Sequence, residues 1–145
     1  MKKLLYSFLL LSSATLFAQK NPATKFAIAN DIVGTVDMFN ANKNAVQSMN
    51  VFKSAANLPL NLKKYSDLAE NGLIEVKFKK GSDNFDRISL AELNDQYKIA
   101  KQTPVYIDGY EFSNTQTLVF GDILTRMEAK DYNGKKTLFI TTKIK

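Results

Sequence analysis

The sequence predicts an α+β fold: a small mixed or antiparallel sheet with short helices. Three observations carry that expectation. Residues 73–80 alternate Ile74, Val76 and Phe78 with Glu75, Lys77 and Lys79, the period-two pattern of a strand with one buried and one wet face. Asp108-Gly109 and Asn133-Gly134 each separate short β-rich runs, as hairpin turns do. Ser89, followed by Glu92, opens a run of Leu90, Leu93, Tyr97 and Ile99, the arrangement of a capping box at a helix start.

From the N-terminus, residues 1–18 join Lys2 and Lys3 to an apolar run from Leu4 to Leu11 and a small-residue end. That is the layout of a secretory signal peptide, with cleavage expected after Ala18 and residues 19–145 read as a single domain. Lys25 to Asp31 is expected as a strand with Phe26 and Ile28 on one face, and Asp31 as the cap of a short helix carrying Ile32, Val36 and Phe39. Val46 to Lys53 reads as a strand. Beyond Pro59, Leu62, Tyr65, Leu68 and Ala69 recur at helical spacing, and Asn71-Gly72 supplies a left-handed stop. After the strand at 73–80 come a turn-rich stretch from Gly81 to Arg87, a helix from Leu90 to Ile99, and the Asp108-Gly109 turn. Asp122 to Lys130 and Lys136 to Lys143 close the chain as a hairpin. Ile74, Val76, Phe78, Leu138 and Ile140 are expected in one core.

The chain also resembles itself. At an offset of 77, Asp31 falls on Asp108, Val46 on Ile123 and Lys53 on Lys130; Asn71 falls on Asn133 at an offset of 62. Residues 25–80 and 104–143 read either as degenerate half-repeats, the second lacking the excursion after Pro59, or as two hairpin-forming segments of one sheet.

Composition excludes several function classes. The sequence has no cysteine, which removes a lipidated N-terminal Cys, disulfides and thiolate metal sites. It has no histidine either, so a Ser-His-acid triad and a histidine-bound zinc are out of reach. Without Lys2 and Lys3, 18 Lys and Arg face 14 acids, and the net charge falls from +6 to +4. The lysines are scattered, which argues against nucleic acid as a partner. No stretch approaches the ~20 apolar residues of a membrane span, so no direct membrane span is expected. Carboxylate chemistry is the one catalytic option left, and the candidate pairs Asp83 with Asp86 and Asp108 with Glu111 lie in turn-like sequence, where Asp caps backbone groups. Ser82 to Asp86 alternates oxygen ligands like a calcium loop without the glycine and terminal glutamate of an EF-hand, so a turn is preferred. No catalytic residue, metal site or cofactor is therefore expected, and the chain reads as no enzyme. Tyr106, Tyr110, Phe112 and Phe120 read as core first and contact second. Lys77, Lys79 and Lys80, with Lys143 and Lys145, read as edge protection before binding patch.

The run SMNVFKSAANLPLNLKKYSDLAENGLIEVKFKKG resembles the end of the plug domain of TonB-dependent outer-membrane receptors of the Bacteroidota type. Met49, Val51, Lys53, Ala55, Ala56, Tyr65, Asn71, Gly72, Ile74, Val76 and Lys79 stand where that pattern has its residues. TPVYIDGYEF is similar to the family's strand and Asp-Gly turn through Pro104, Tyr106, Ile107, Asp108 and Gly109, and LFITTKIK resembles its terminal strand. The first half lacks the Asp-Gly turn and the second lacks the alanine-rich helix. No TonB-box-like segment precedes Phe26.

The resemblance implies a free-standing plug-like domain in the periplasm, peripheral to the outer membrane. Its expected role is noncatalytic: docking to, and occluding, the periplasmic mouth of a large outer-membrane β-barrel, for example a type 9 secretion translocon. The expected partner-binding residues are Tyr110, Glu111 and Phe112 after the Asp-Gly turn, with Lys77 and Lys79. The alternative is a soluble periplasmic peptide- or ligand-binding module acting by strand addition, with the terminal strand TLFITTKIK as its edge.

Overall fold

The computed structural model describes residues 18–143. The expected leader, apart from Ala18, lies outside them. The chain forms an α+β fold in two compact units. The first unit comprises Pro22–Ile88 and Leu118–Ile123; among the described residues the second comprises those up to Asn21, Ser89–Thr117 and those from Leu124 onward.

In the first unit, β1 (Phe26–Ala29) and β2 (Ile32–Thr35) make an antiparallel hairpin. Its turn is Asn30-Asp31, with φ of 50° and 66°. Both central residues of such a tight turn need positive φ, and Asn and Asp tolerate it better than other side chains. Asp31 is therefore not the helix cap that the sequence suggests, and Ile32 lies in a strand. Helix α1 (Val36–Ala41) starts four residues later, capped by Thr35, whose Oγ1 accepts from the Met38 N–H at 3.2 Å.

Strand β3 (Val46–Phe52) follows, bulged between Val46 and Ser48, and pairs antiparallel with β4 (Leu73–Phe78). Between them, Leu60–Leu68 forms 3-10 turns instead of the expected α-helix, broken at Tyr65, where φ is −102°. Its apolar side chains Leu62, Tyr65 and Leu68 are buried nonetheless. Two short strands escape sequence reading, β5 (Arg87–Ser89) and β8 (Leu118–Phe120). The sheet order is β3-β4-β1-β2-β8-β5, with β1 parallel to β4 and β2 parallel to β8. On this sheet Phe39 and Phe120 meet edge to face at 5.7 Å, and Phe78 stacks on Phe85 at 5.4 Å.

The second unit opens with helix α2 (Leu90–Gln96), which has the predicted capping box: Ser89 Oγ accepts from the Glu92 N–H, and the Glu92 carboxylate accepts from the Ser89 N–H. The hairpin of β6 (Val105–Ile107) and β7 (Tyr110–Phe112) turns at Asp108-Gly109, as expected. The final hairpin pairs β9 (Arg126–Tyr132) with β10 (Lys135–Thr141) around Asn133-Gly134. The order β7-β6-β10-β9 puts β10 inside the sheet, parallel to β6. The terminal strand is thus not an edge, and edges here are β7 and β9. Leu138 and Ile140 are buried on this sheet and Val76 on the other, so the residues expected in one core belong to two units.

The two units share a four-strand arrangement down to its register. Strands β3-β4-β1-β2 in the first correspond to β9-β10-β6-β7 in the second. Val51 opposes Ile74 as Ala129 opposes Leu138, and Met49 opposes Val76 as Met127 opposes Ile140. Ile28 opposes Glu75 as Tyr106 opposes Phe139, and Ala29 opposes Ile32 as Ile107 opposes Tyr110. These pairs hold one constant shift of 78 residues (51 to 129, 28 to 106) for β1–β3 and one of 64 (74 to 138) for β4. The offsets of 77 and 62 suggested by identities miss this register by one and two residues.

Candidate functional site

The expected contact residues are divided between the units, Lys77 and Lys79 in the first and Tyr110, Glu111 and Phe112 in the second. Tyr110 and Phe112 are 2% and 6% exposed and form the buried face of β7, with Glu111 between them exposed. Alternation along a strand makes this outcome unavoidable: one face of the tyrosine, glutamate and phenylalanine must go inward, and the apolar one does. Tyr110 is further covered by Lys20, whose Nζ lies 5.4 Å from the ring centroid. Two of the predicted contacts are thus core side chains of the second unit. Lys77 and Lys79 are exposed in the first unit, Lys77 on β4 and Lys79 just beyond it, where the Lys79 N–H donates to the Ala45 carbonyl at 2.9 Å.

The turn aspartates do turn work. Asp108 Oδ1 accepts from the Thr142 N–H at 3.0 Å and Oδ2 from the Thr142 hydroxyl at 2.5 Å, tying the β6–β7 turn to the end of β10. The Asp83 carbonyl accepts from the Phe85 N–H at 2.9 Å and from the Arg87 guanidinium at 3.3 Å, and the Asp86 carbonyl accepts from Gly121 at 2.8 Å. Among the described residues, no three Asp, Glu, His or Cys side chains gather into a set that could hold a metal ion.

A polar cleft of about 540 Å³ lies wholly in the first unit, floored by Ile28 and Val76 and rimmed by Asp31, Leu60, Lys64 and Glu75. On its rim is a locked carboxylate. Asp31 Oδ2 pairs with Lys64 Nζ at 2.5 Å; Tyr65 donates its hydroxyl to Asp31 Oδ1 at 2.8 Å and to the Asp31 carbonyl at 3.1 Å. Partial burial works to raise the Asp31 carboxyl, but the Lys64 and Tyr65 hydrogen bonds and the lysine charge together hold it below the ordinary range. Burial, reinforced by the Asp31 carboxylate, pushes the Tyr65 phenol well above its ordinary value. Both carboxylate oxygens are engaged, so the trio serves to pin the β1–β2 turn onto the 3-10 segment and offers no poised base. Sequence reading missed it because Asp31 stands 33 and 34 residues from Lys64 and Tyr65. The Asn-Asp pair, a turn signal without glycine, was the clue.

The sheet edges differ in chemistry. On β9, Arg126, Glu128 and Lys130 occupy alternate positions on one face. Glu128 pairs with Arg126 and, at 3.1 Å, with Lys130. The Lys130 hydrogen bond, aided by Arg126 and by both positive charges, outweighs the opposing effect of burial and keeps the Glu128 carboxyl below its usual range. On β3 the equivalent positions are Ser48, Asn50 and Phe52, and the strand carries no charged residue. Val51 on this strand is 65% exposed. No protein-family model, curated protein or solved structure matches the chain.

Proposed function

We propose that this chain is an exported, noncatalytic plug-like protein that docks at the periplasmic mouth of a large outer-membrane β-barrel, such as a type 9 secretion translocon, and occludes it. One observation supports this reading most: the segments that carry the plug resemblance, 46–80 and 104–143, supply β3 and β4 of the register-matched four-strand arrangement in the first unit and all four of its strands in the second. Small sheets bearing exposed polar side chains, Lys77 in the first unit with Lys79 just beyond its strand and Glu111 in the second, suit a wide aqueous lumen, where mixed-charge surfaces stay solvated until docking. Because Tyr110 and Phe112 are core side chains, the docking surface is assigned to polar exposed residues.

Deleting the gene should make the outer membrane leaky to large polar antibiotics such as vancomycin, and deleting the host barrel as well should restore the seal. A C-terminally tagged protein should recover one dominant barrel from detergent-solubilised outer membranes. An intact permeability barrier, together with recovery of mixed soluble partners, would instead favour a periplasmic peptide-binding module.

A further inference from the structure

From the contrast between two equivalent edges, we infer that β3 is a self-association strand, pairing antiparallel with β3 of a second copy so that two six-stranded sheets join into one. Edge strands present unpaired N–H and C=O groups, and proteins blunt them with charge, shortness or cover. Among the described edges, β5 and β7 are three residues long and carry Arg87 and Glu111, and β9 is seven residues long and carries Arg126, Glu128, Lys130 and Asp131. Strand β3 is as long as β9, yet it is uncharged, and it exposes Val51.

The identity of the occupant follows from two-fold symmetry. Beyond its bulge, β3 is regular from Ser48 to Phe52, and an antiparallel self-pair of this stretch centres on Asn50. Asn50 then faces its own copy, amide to amide. Met49 faces Val51 twice, covering the exposed valine, and Ser48 faces Phe52. No charge opposes another. The same operation on β9 would set Glu128 against Glu128 and Arg126 against Lys130, like charges at all three of these positions. Within one shared backbone arrangement, the second unit's edge is built against self-pairing and the first unit's edge is built to permit it.

The test uses the mature full chain. Wild type should sediment as a dimer, and the triple variant Ser48→Arg, Asn50→Glu, Phe52→Lys, which copies the β9 charges onto equivalent positions, should sediment as a monomer with a retained cooperative melt. Because the chain has no cysteine, single thiols report the register. Directly opposed Cα atoms lie about 4.5–5.5 Å apart, within disulfide reach, so Asn50→Cys should oxidise to a covalent dimer. Val51→Cys, whose copies would be about 8 Å apart in this register, should not. A monomeric wild type, a triple variant that remains dimeric, or equal cross-linking at both positions would each overturn the proposal; the two cysteine variants decide it if the triple variant fails to fold.

Discussion

The Asp31, Lys64 and Tyr65 cluster makes a pH-dependent contribution with a defined sign. Tyr65 is titrated with difficulty in the folded chain, so the stability its neutral form provides is fully present below the ordinary tyrosine value of about 10 and is lost as pH rises through its raised value. The Asp31 carboxyl lies below its ordinary value, so its contribution is present above about 3.9 and is lost as pH falls through the lowered one. Replacing Tyr65 with Phe removes a hydroxyl that donates to two Asp31 oxygens and should cost about 1–2 kcal/mol at neutral pH. Thermal melts of wild type and variant should differ most between about pH 4 and 10, and the gap should narrow progressively as pH moves beyond either end of that window. An equal gap at pH 7 and pH 12 would mean that the phenol's proton plays no part. At this scale the sequence was only partly informative: alternation marks Tyr110 and Phe112 as core before contact, and burial follows that reading and not the docking role the resemblance implies. The buried Asn94 was silent. Its amide donates to the carbonyls of Lys101 and Thr103, holding the loop after α2, and nothing in the local pattern distinguishes it from a surface asparagine.

Elements announced by local chemistry were legible, and those made by distant pairing were not. The capping box at Ser89, the Asp108-Gly109 and Asn133-Gly134 hairpins and the strand at 73–78 each carry their instructions within a few residues. Strands β5 and β8 are three residues long, too short for any periodicity, and exist because partner strands supply hydrogen bonds. Leu60–Leu68 has helical spacing of its apolar residues, but spacing is satisfied equally by a kinked 3-10 run that buries the same side chains. The repeat explains another departure. Gly34 on β2 corresponds to Phe112 on β7, since Gly34 opposes Ala27 as Phe112 opposes Val105. In the first unit that volume is filled from elsewhere: a Cβ on Gly34 would come within 3.0 Å of both the Phe39 and Phe120 rings and 3.2 Å of the Met38 sulfur. Gly34→Val should therefore cost about 1–3 kcal/mol by overpacking, measured as a lowered denaturant midpoint with an unchanged slope. An unaltered midpoint would show that the aromatic cluster yields freely.

At the scale of the whole molecule, the chain path makes the first unit dependent on its own later sequence. Residues 22–88 supply five of its strands, but β8 comes from beyond the second unit's first hairpin and brings the fully buried Val119 and Phe120, with Ile123 just after. A fragment of residues 19–88 would leave β2 without its parallel neighbour and Phe39 without the Phe120 ring. Such a fragment should show no cooperative thermal transition by circular dichroism, whereas one extended to residue 123 should regain strand signal; a sharp melt for the short fragment would refute the dependence. The same feature has a consequence in time. A chain made from its N-terminus at about 5–20 residues per second must wait a few seconds after Ile88 before Leu118 emerges. Through that interval the leading segment lacks its closing strand and stays unfolded, the condition a polypeptide must keep if it is to be threaded through a membrane before it folds.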